Sequence, residues 1–182
     1  MTPEELDRLY TLLRVPSVSA VPEHAPDMAR AAELVAADIR RAGGTAEIRT
    51  GDGHPLVVGE VPPSDGRADA PRVIVYGHYD VQPMGDRSLW TTDPFEPVVR
   101  DGNLYCRGAS DDKGNMFMLL AAVQRLAAGG TLPVHVSFVI DGEEESGGTT
   151  AERHIAADDT PATAAVIYDS GMVAPGRPSV CS

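Results

Sequence analysis

The chain has 182 residues, enough to bury one good core, so a single domain with at most a small extension is the default. Its 27 acidic residues against 15 basic ones leave a net charge of −12, which argues against a nucleic-acid partner, whose phosphates need a basic face. No apolar run approaches the roughly 18 residues of a membrane span, and Cys106 and Cys181, too few for a disulfide scaffold or a cysteine-rich zinc site, read as reduced thiols.

The opening MTPEELDRLY lacks a basic stretch followed by an apolar one, which points to the cytoplasm. Thr2, Pro3 and Glu5 have the N-cap, first-turn proline and reciprocal glutamate of a capping box. Leu6, Leu9 and Leu13 continue it as an amphipathic helix that stops near Pro16. A second helix is expected over about 27–42, with Met28, Ala31, Leu34, Val35 and Ile39 facing inward and Gly43-Gly44 as its stop. Two strand candidates follow, 46–49 and 56–61, with His54 belonging to the turn between them.

Residues 71–83, PRVIVYGHYDVQP, are the stretch around which the rest is organised. Val73 to Tyr76 read as a strand buried on both faces, ending at Gly77 and followed at once by His78 and Asp80. Segments 90–99 and 103–107 flank Asp101-Gly102, a two-residue hairpin signal. They deliver the chain to Asp111-Asp112 and a helix over 115–128. A strand at 134–140 leads into Asp141-Gly142-Glu143-Glu144-Glu145, and after a short helix near 150–157 a strand at 164–168 runs into Asp169. Strands alternating with helices imply an α/β fold, a three-layer, mostly parallel sheet with helices on both faces.

In such sheets the functional crevice lies beyond the carboxyl ends of the strands. Three of the strands end in potential metal ligands, His78, the 143–145 acids and Asp169, and the hairpin-to-helix junction adds Asp111. One imidazole with several carboxylates suits Zn²⁺ or Mn²⁺ better than a thiolate cage. Two metals about 3.5–4 Å apart can clamp a carbonyl and a shared water, and Asp111 is short enough to bridge them. Singly, each residue has a plainer reading: a structural histidine, a solvated glutamate run, a turn-capping aspartate. Paired carboxylates also serve glycoside hydrolysis, but that chemistry leaves His78 without a role.

GHYDVQP, Trp90, Asp93-Pro94-Phe95, LYCRGASDDKG and DGEEESGG, in that order, resemble the carnosinase-type branch of the metallo-exopeptidases. That family also includes aminoacylases, acetylornithine deacetylase, succinyl-diaminopimelate desuccinylase and glutamate carboxypeptidase. The likeness runs from about residue 5 to the end and implies a zinc-exopeptidase-like fold. It implies that His78 and Asp169 bind one metal, with Asp80 beneath His78 to orient it. Asp111 bridges both metals, Glu145 binds the second, and the Asp111–Asp112 peptide bond is cis. Glu144 is the general base, and Glu143 matches a variable position as bystander charge. The reaction implied is hydrolysis of a dipeptide amide bond by a metal-bridging water, with two Zn²⁺ in a complete site and Mn²⁺ as an option. The alternatives are an N-acyl amino acid deacylase and a non-catalytic fragment or binding module.

Family members are about twice as long, and the resemblance divides this chain into residues 1–175, the N-terminal part of the catalytic domain, and 176–182, the approach to an inserted lid or dimerisation domain. The last metal-binding histidine, a lid histidine and the residues that grip the substrate carboxylate are absent, and His135 and His154 are poor substitutes for them. The expectation is weak or absent activity for this truncated 182-residue form, at most one tight metal site, an exposed sheet edge that favours self-association, and a homodimer in the full-length form.

Overall fold

The computed structural model describes residues 1–172, 174, 176 and 177. Residues 178–182, which carry Cys181 and most of the expected approach to a second domain, lie outside the described residues. Helix α1 spans Pro3–Leu13 and opens with the expected capping box: Glu5 N–H donates to Thr2 Oγ1 (3.2 Å) and Thr2 N–H to Glu5 Oε2 (2.6 Å). Arg125 grips the same carboxylate and, with the Thr2 backbone bond, holds Glu5 down to about 2. That contribution is present above the ordinary value of 4.5 and lost as pH falls towards 2. Separately, Thr2→Ala keeps the backbone donor to Glu5 but removes the Oγ1 acceptor of the Glu5 N–H, and should lower stability by about 1 kcal/mol in a urea titration; an unchanged midpoint would show that the side-chain cap contributes nothing.

Helix α2, Ala25–Arg41, starts slightly earlier than expected because a 3-10 turn at Pro22–His24 leads straight into it. It buries Met28, Ala31, Val35 and Ile39, with Leu34 packed at the margin, and ends where Gly43 takes a φ of 81°. Strands β1 (Thr45–Arg49), β2 (Leu56–Val61), β3 (Arg72–His78), β6 (His135–Asp141) and β7 (Ala164–Ile167) form one sheet in the order β1-β2-β6-β3-β7. The β1–β2 and β2–β6 pairs are antiparallel, and the β6–β3 and β3–β7 pairs parallel. The sheet is thus mixed: four strands share one direction and β2 runs against them.

Alternation along β6 decides which layer each residue joins. Val136, Phe138 and Ile140 enter the main core with α1, α2 and α3 (Lys113–Ala128), whereas Val139 points to the other face, against Leu56 and Ala151 of the short α4 (Thr150–Ala156). Because that second layer is one short helix, Ile74 and Tyr76, which face it, are only partly buried, and β3 is not buried on both faces as expected. On the main-core face Val75 is buried and Val73 partly so, and β7, at the edge, is exposed along its length. In α3, Phe117 is fully buried, whereas Leu126 faces solvent.

The hairpin is also shorter than expected. Only β4 (Val98–Arg100) and β5 (Asn103–Tyr105) pair, across Asp101 and Gly102 at φ 50° and 77°. Before β4, Trp90 follows a 3-10 turn at Arg87–Leu89, and Asp93 caps a turn by accepting from Phe95 N–H (2.9 Å), with Pro94 and Pro97 denying ladder donors. Among the described residues no helix is long and apolar enough to cross a membrane.

Candidate metal centre

Sheet register assembles the site. Parallel pairing aligns His78 with Asp141, and Tyr76 with Ile167, so two residues beyond β7 the chain reaches Asp169 level with His78. From the N-terminal side of α3 comes Asp111, joined to Asp112 through a cis peptide bond. Ligand atoms of His78, Asp111 and Asp169 all lie within 4.8 Å of one another. Nε2 of the fully buried His78 is 3.1 Å from Asp111 Oδ1, 3.7 Å from Asp169 Oδ2 and 3.9 Å from Glu144 Oε2. None of these approaches has hydrogen-bond geometry, so a buried ring nitrogen faces three carboxylates without a hydrogen-bond partner.

The other ring nitrogen is held. Nδ1 lies 3.1 Å from the Asp80 carbonyl and 3.3 Å from Asp80 Oδ1. Both are acceptors, so Nδ1 carries the proton and Nε2 is turned towards the acidic group. Burial pulls the His78 imidazole down, but the Asp80 hydrogen bond and the charges of Asp80, Asp112 and Glu144 outweigh it and raise it to about 10. A donor set of one imidazole and several carboxylates that so strongly favours positive charge fits a divalent cation of the zinc or manganese class.

Of the residues singled out from the sequence, Glu145 stands apart. It is not in the three-ligand group, and its Oε2 accepts from Gln82 Nε2 at 2.7 Å. Glu144 is at the rim with its side chain 39% exposed. Burial, then the charges of Glu145, Asp169 and Asp80, raise its carboxyl against the pull of His78. His135 and His154 are not in the group. His135 opens β6 at the far end of the strand rather than sitting mid-strand, with Nε2 3.2 Å from Arg67 O, and His154 Nδ1 lies 2.8 Å from Arg49 Nη1.

Three supporting acids escaped the sequence reading. Asp112 is fully buried and accepts from the His78 backbone N–H (3.1 Å), tying α3 to the end of β3. Burial raises it to about 7. Asp141 accepts from the backbone N–H groups of Gly142 (2.7 Å) and Glu143 (3.1 Å), shaping the turn that carries Glu144. An Asp-Gly at a strand end was the available signal for such a turn. Glu143 is no bystander: it is 6% exposed and accepts from the N–H groups of His54 (3.1 Å) and Thr150 (3.2 Å). Gly142 must lack a side chain, because a Cβ there would lie 2.3 Å from the hydroxyl of buried Tyr79. Beside Asp112, buried Lys113 donates to the carbonyls of Leu12 (3.2 Å) and Val15 (2.6 Å), closing the C-terminal end of α1.

The chain matches peptidase family M20/M25/M40 over residues 74–180. It is 36% identical over 168 residues to a cysteinylglycine-S-conjugate dipeptidase of Corynebacterium striatum, covering 90% of this chain and 36% of that protein. A succinyl-diaminopimelate desuccinylase of Stenotrophomonas maltophilia is 36% identical over 157 residues, covering 83% of this chain and 38% of the other. Among solved structures, human carnosine dipeptidase 1 superposes with a TM-score of 0.80 at 29% identity, over 92% of this chain and 38% of that one. The chain therefore spans somewhat over a third of the length of these relatives.

Proposed function

Because the chain belongs to peptidase family M20/M25/M40, we propose that it carries a metal-binding part of a hydrolase that cleaves the amide bond of a small dipeptide. The observation that carries this reading is the convergence of His78, Asp111 and Asp169 on one point at the carboxyl rim of the sheet. His78 and Asp169 would hold one cation and Asp111 would be shared with a second. Glu145 would serve the second cation, with Gln82 Nε2 holding its carboxylate by a hydrogen bond to Oε2. Bound Zn²⁺ or Mn²⁺ supplies Lewis-acid polarisation of the scissile carbonyl and acidifies a water molecule.

The chain's own side chains do the rest. Asp80 keeps the Nδ1 proton of His78 in place, which leaves Nε2 as the ligand atom. Glu144, within 3.9 Å of that ring and open to solvent, takes the proton of the attacking water and hands it to the departing amine. Its raised carboxyl lies nearer to neutral pH than an ordinary glutamate and suits both transfers. A second reading, removal of an N-acyl group from an amino acid, is favoured by the 36% identity to the desuccinylase.

Calorimetric titration of the 182-residue chain with Zn²⁺ and Mn²⁺, followed by assays on a free dipeptide and an acetylated amino acid, tests the proposal. One tight cation per chain is expected, with any turnover higher on the dipeptide. Two tight zinc sites would overturn the single-site reading, absence of cation binding would overturn the metal centre, and faster hydrolysis of the acetylated substrate would favour deacylation.

A further inference from the structure

The segment after α1 is bonded to the residues that follow β3 and to the start of α3. Val81 N–H donates to Ser17 O (2.9 Å), Ser17 Oγ donates to Tyr79 O (2.7 Å), and Lys113 Nζ reaches Val15 O. Two residues beyond Ser17, the buried Ser19 donates through Oγ to Asp80 Oδ2 at 2.6 Å. The same carboxylate oxygen accepts from the Glu145 backbone N–H at 3.1 Å. With Oδ2 held by two donors, Oδ1 is the oxygen left to face His78 Nδ1.

Ser19 is held in turn. Its carbonyl lies 2.9 Å from His54 Nε2, and since a carbonyl only accepts, His54 carries its proton on that nitrogen. The His54 backbone N–H donates to Glu143 Oε1, and Glu143 Oε2 accepts from Thr150 N–H. Glu143 is wedged between glycines: a Cβ on Gly53 would lie 1.5 Å from Oε1, and one on Gly148 would lie 2.2 Å from Oε2. The chain of contacts Asp80–Ser19–His54–Glu143 therefore links the support of His78 to the turn bearing Glu144 and Glu145.

We propose that Ser19, His54 and Glu143 form a brace that sets the Asp80 carboxylate, and through it the His78 ring, so that Ser19 is a positioning residue of the metal centre. The inference rests on the metal-centre reading above. A carboxylate accepting one hydrogen bond on Oδ2 instead of two can rotate, and the imidazole it orients then loses alignment with Asp111 and Asp169.

The probe is Co²⁺ alone, added to the 182-residue chain and followed by calorimetry and visible absorption. Ser19→Ala is expected to bind Co²⁺ about tenfold more weakly, the lower end of the effect of groups that support metal ligands, with an altered absorption spectrum. Ser19→Thr, which keeps the hydroxyl, restores most of the affinity and the original spectrum. His54→Phe fills the ring volume without the donor, shifts affinity in the same direction, and carries the test if Ser19→Ala does not fold. A wild-type chain that binds no Co²⁺ refutes the metal centre itself. Wild-type binding matched in affinity and spectrum by the folded variants refutes the brace alone.

Discussion

Glu144→Gln is expected to lower turnover by about 10²–10⁴-fold, the usual contribution of a positioned general acid–base group, in any form of the protein that hydrolyses a dipeptide. The amide keeps the size and shape of the carboxylate but cannot accept a proton. Cation binding should be unaffected, because His78, Asp111 and Asp169 make up the three-ligand group without Glu144. Steady-state kinetics and calorimetric zinc titration on the same sample separate the two effects. Full activity would remove Glu144 from the chemistry, and loss of zinc binding would make it a ligand. Glu145→Gln offers the contrast: it leaves the acid–base group in place and should change metal occupancy instead of the protonation step.

Zinc at 100 times its dissociation constant should stabilise the fold by about 2.7 kcal/mol, and chelation should remove the whole of it. In His78→Ala the increment should vanish. It should also grow with pH, because the cation must displace a proton from His78. Without metal the His78 value of about 10 stands above the ordinary 6.5, so its stabilising contribution is complete below 6.5 and is lost as pH rises through about 10. Buried Asp112, raised from 3.8 to about 7, acts in the same sense over a lower window. Lys113 is lowered by burial from 10.5 to about 7, so its contribution is present above 10.5 and lost as pH falls through about 7.

The melting temperature of the metal-free chain should consequently fall between about pH 4 and 7. It should change little from there to pH 10, where His78 and Lys113 oppose one another. Scanning calorimetry with chelator and with excess zinc checks both halves. A metal-free melting temperature that rose from pH 5 to 7, or a zinc increment indifferent to pH, would contradict the electrostatic account of the site.

Local patterns in the sequence were enough for most elements. The box of Thr2 and Glu5 starts α1, Asp101-Gly102 turns the hairpin, and β-branched runs ending at His78 and near Asp141 mark two central strands. Each of these signals acts over a few residues, where propensity and hydrogen bonding within one turn dominate. Burial is less legible in the sequence: a run such as Val73–Tyr76 looks the same whether one covering helix or several lie over it.

Taken alone, the order of residues marked out four side chains as candidate ligands, since His78, Glu145 and Asp169 stand at or after strand ends and Asp111 precedes a helix. Only the tertiary structure decided which of them meet. Parallel register between β3 and its two neighbours is a long-range property, and it sets Asp141 and Asp169 level with His78. Folding also gave three consecutive glutamates different surroundings. Glu143 turns inward to brace His54 and Thr150, Glu144 stays at the rim near His78, and Glu145 pairs with Gln82. Nothing in a run of identical side chains distinguishes them. The turn that carries them does, because its backbone aims each carboxylate at different partners, of which His54, His78 and Gln82 come from segments distant in the chain.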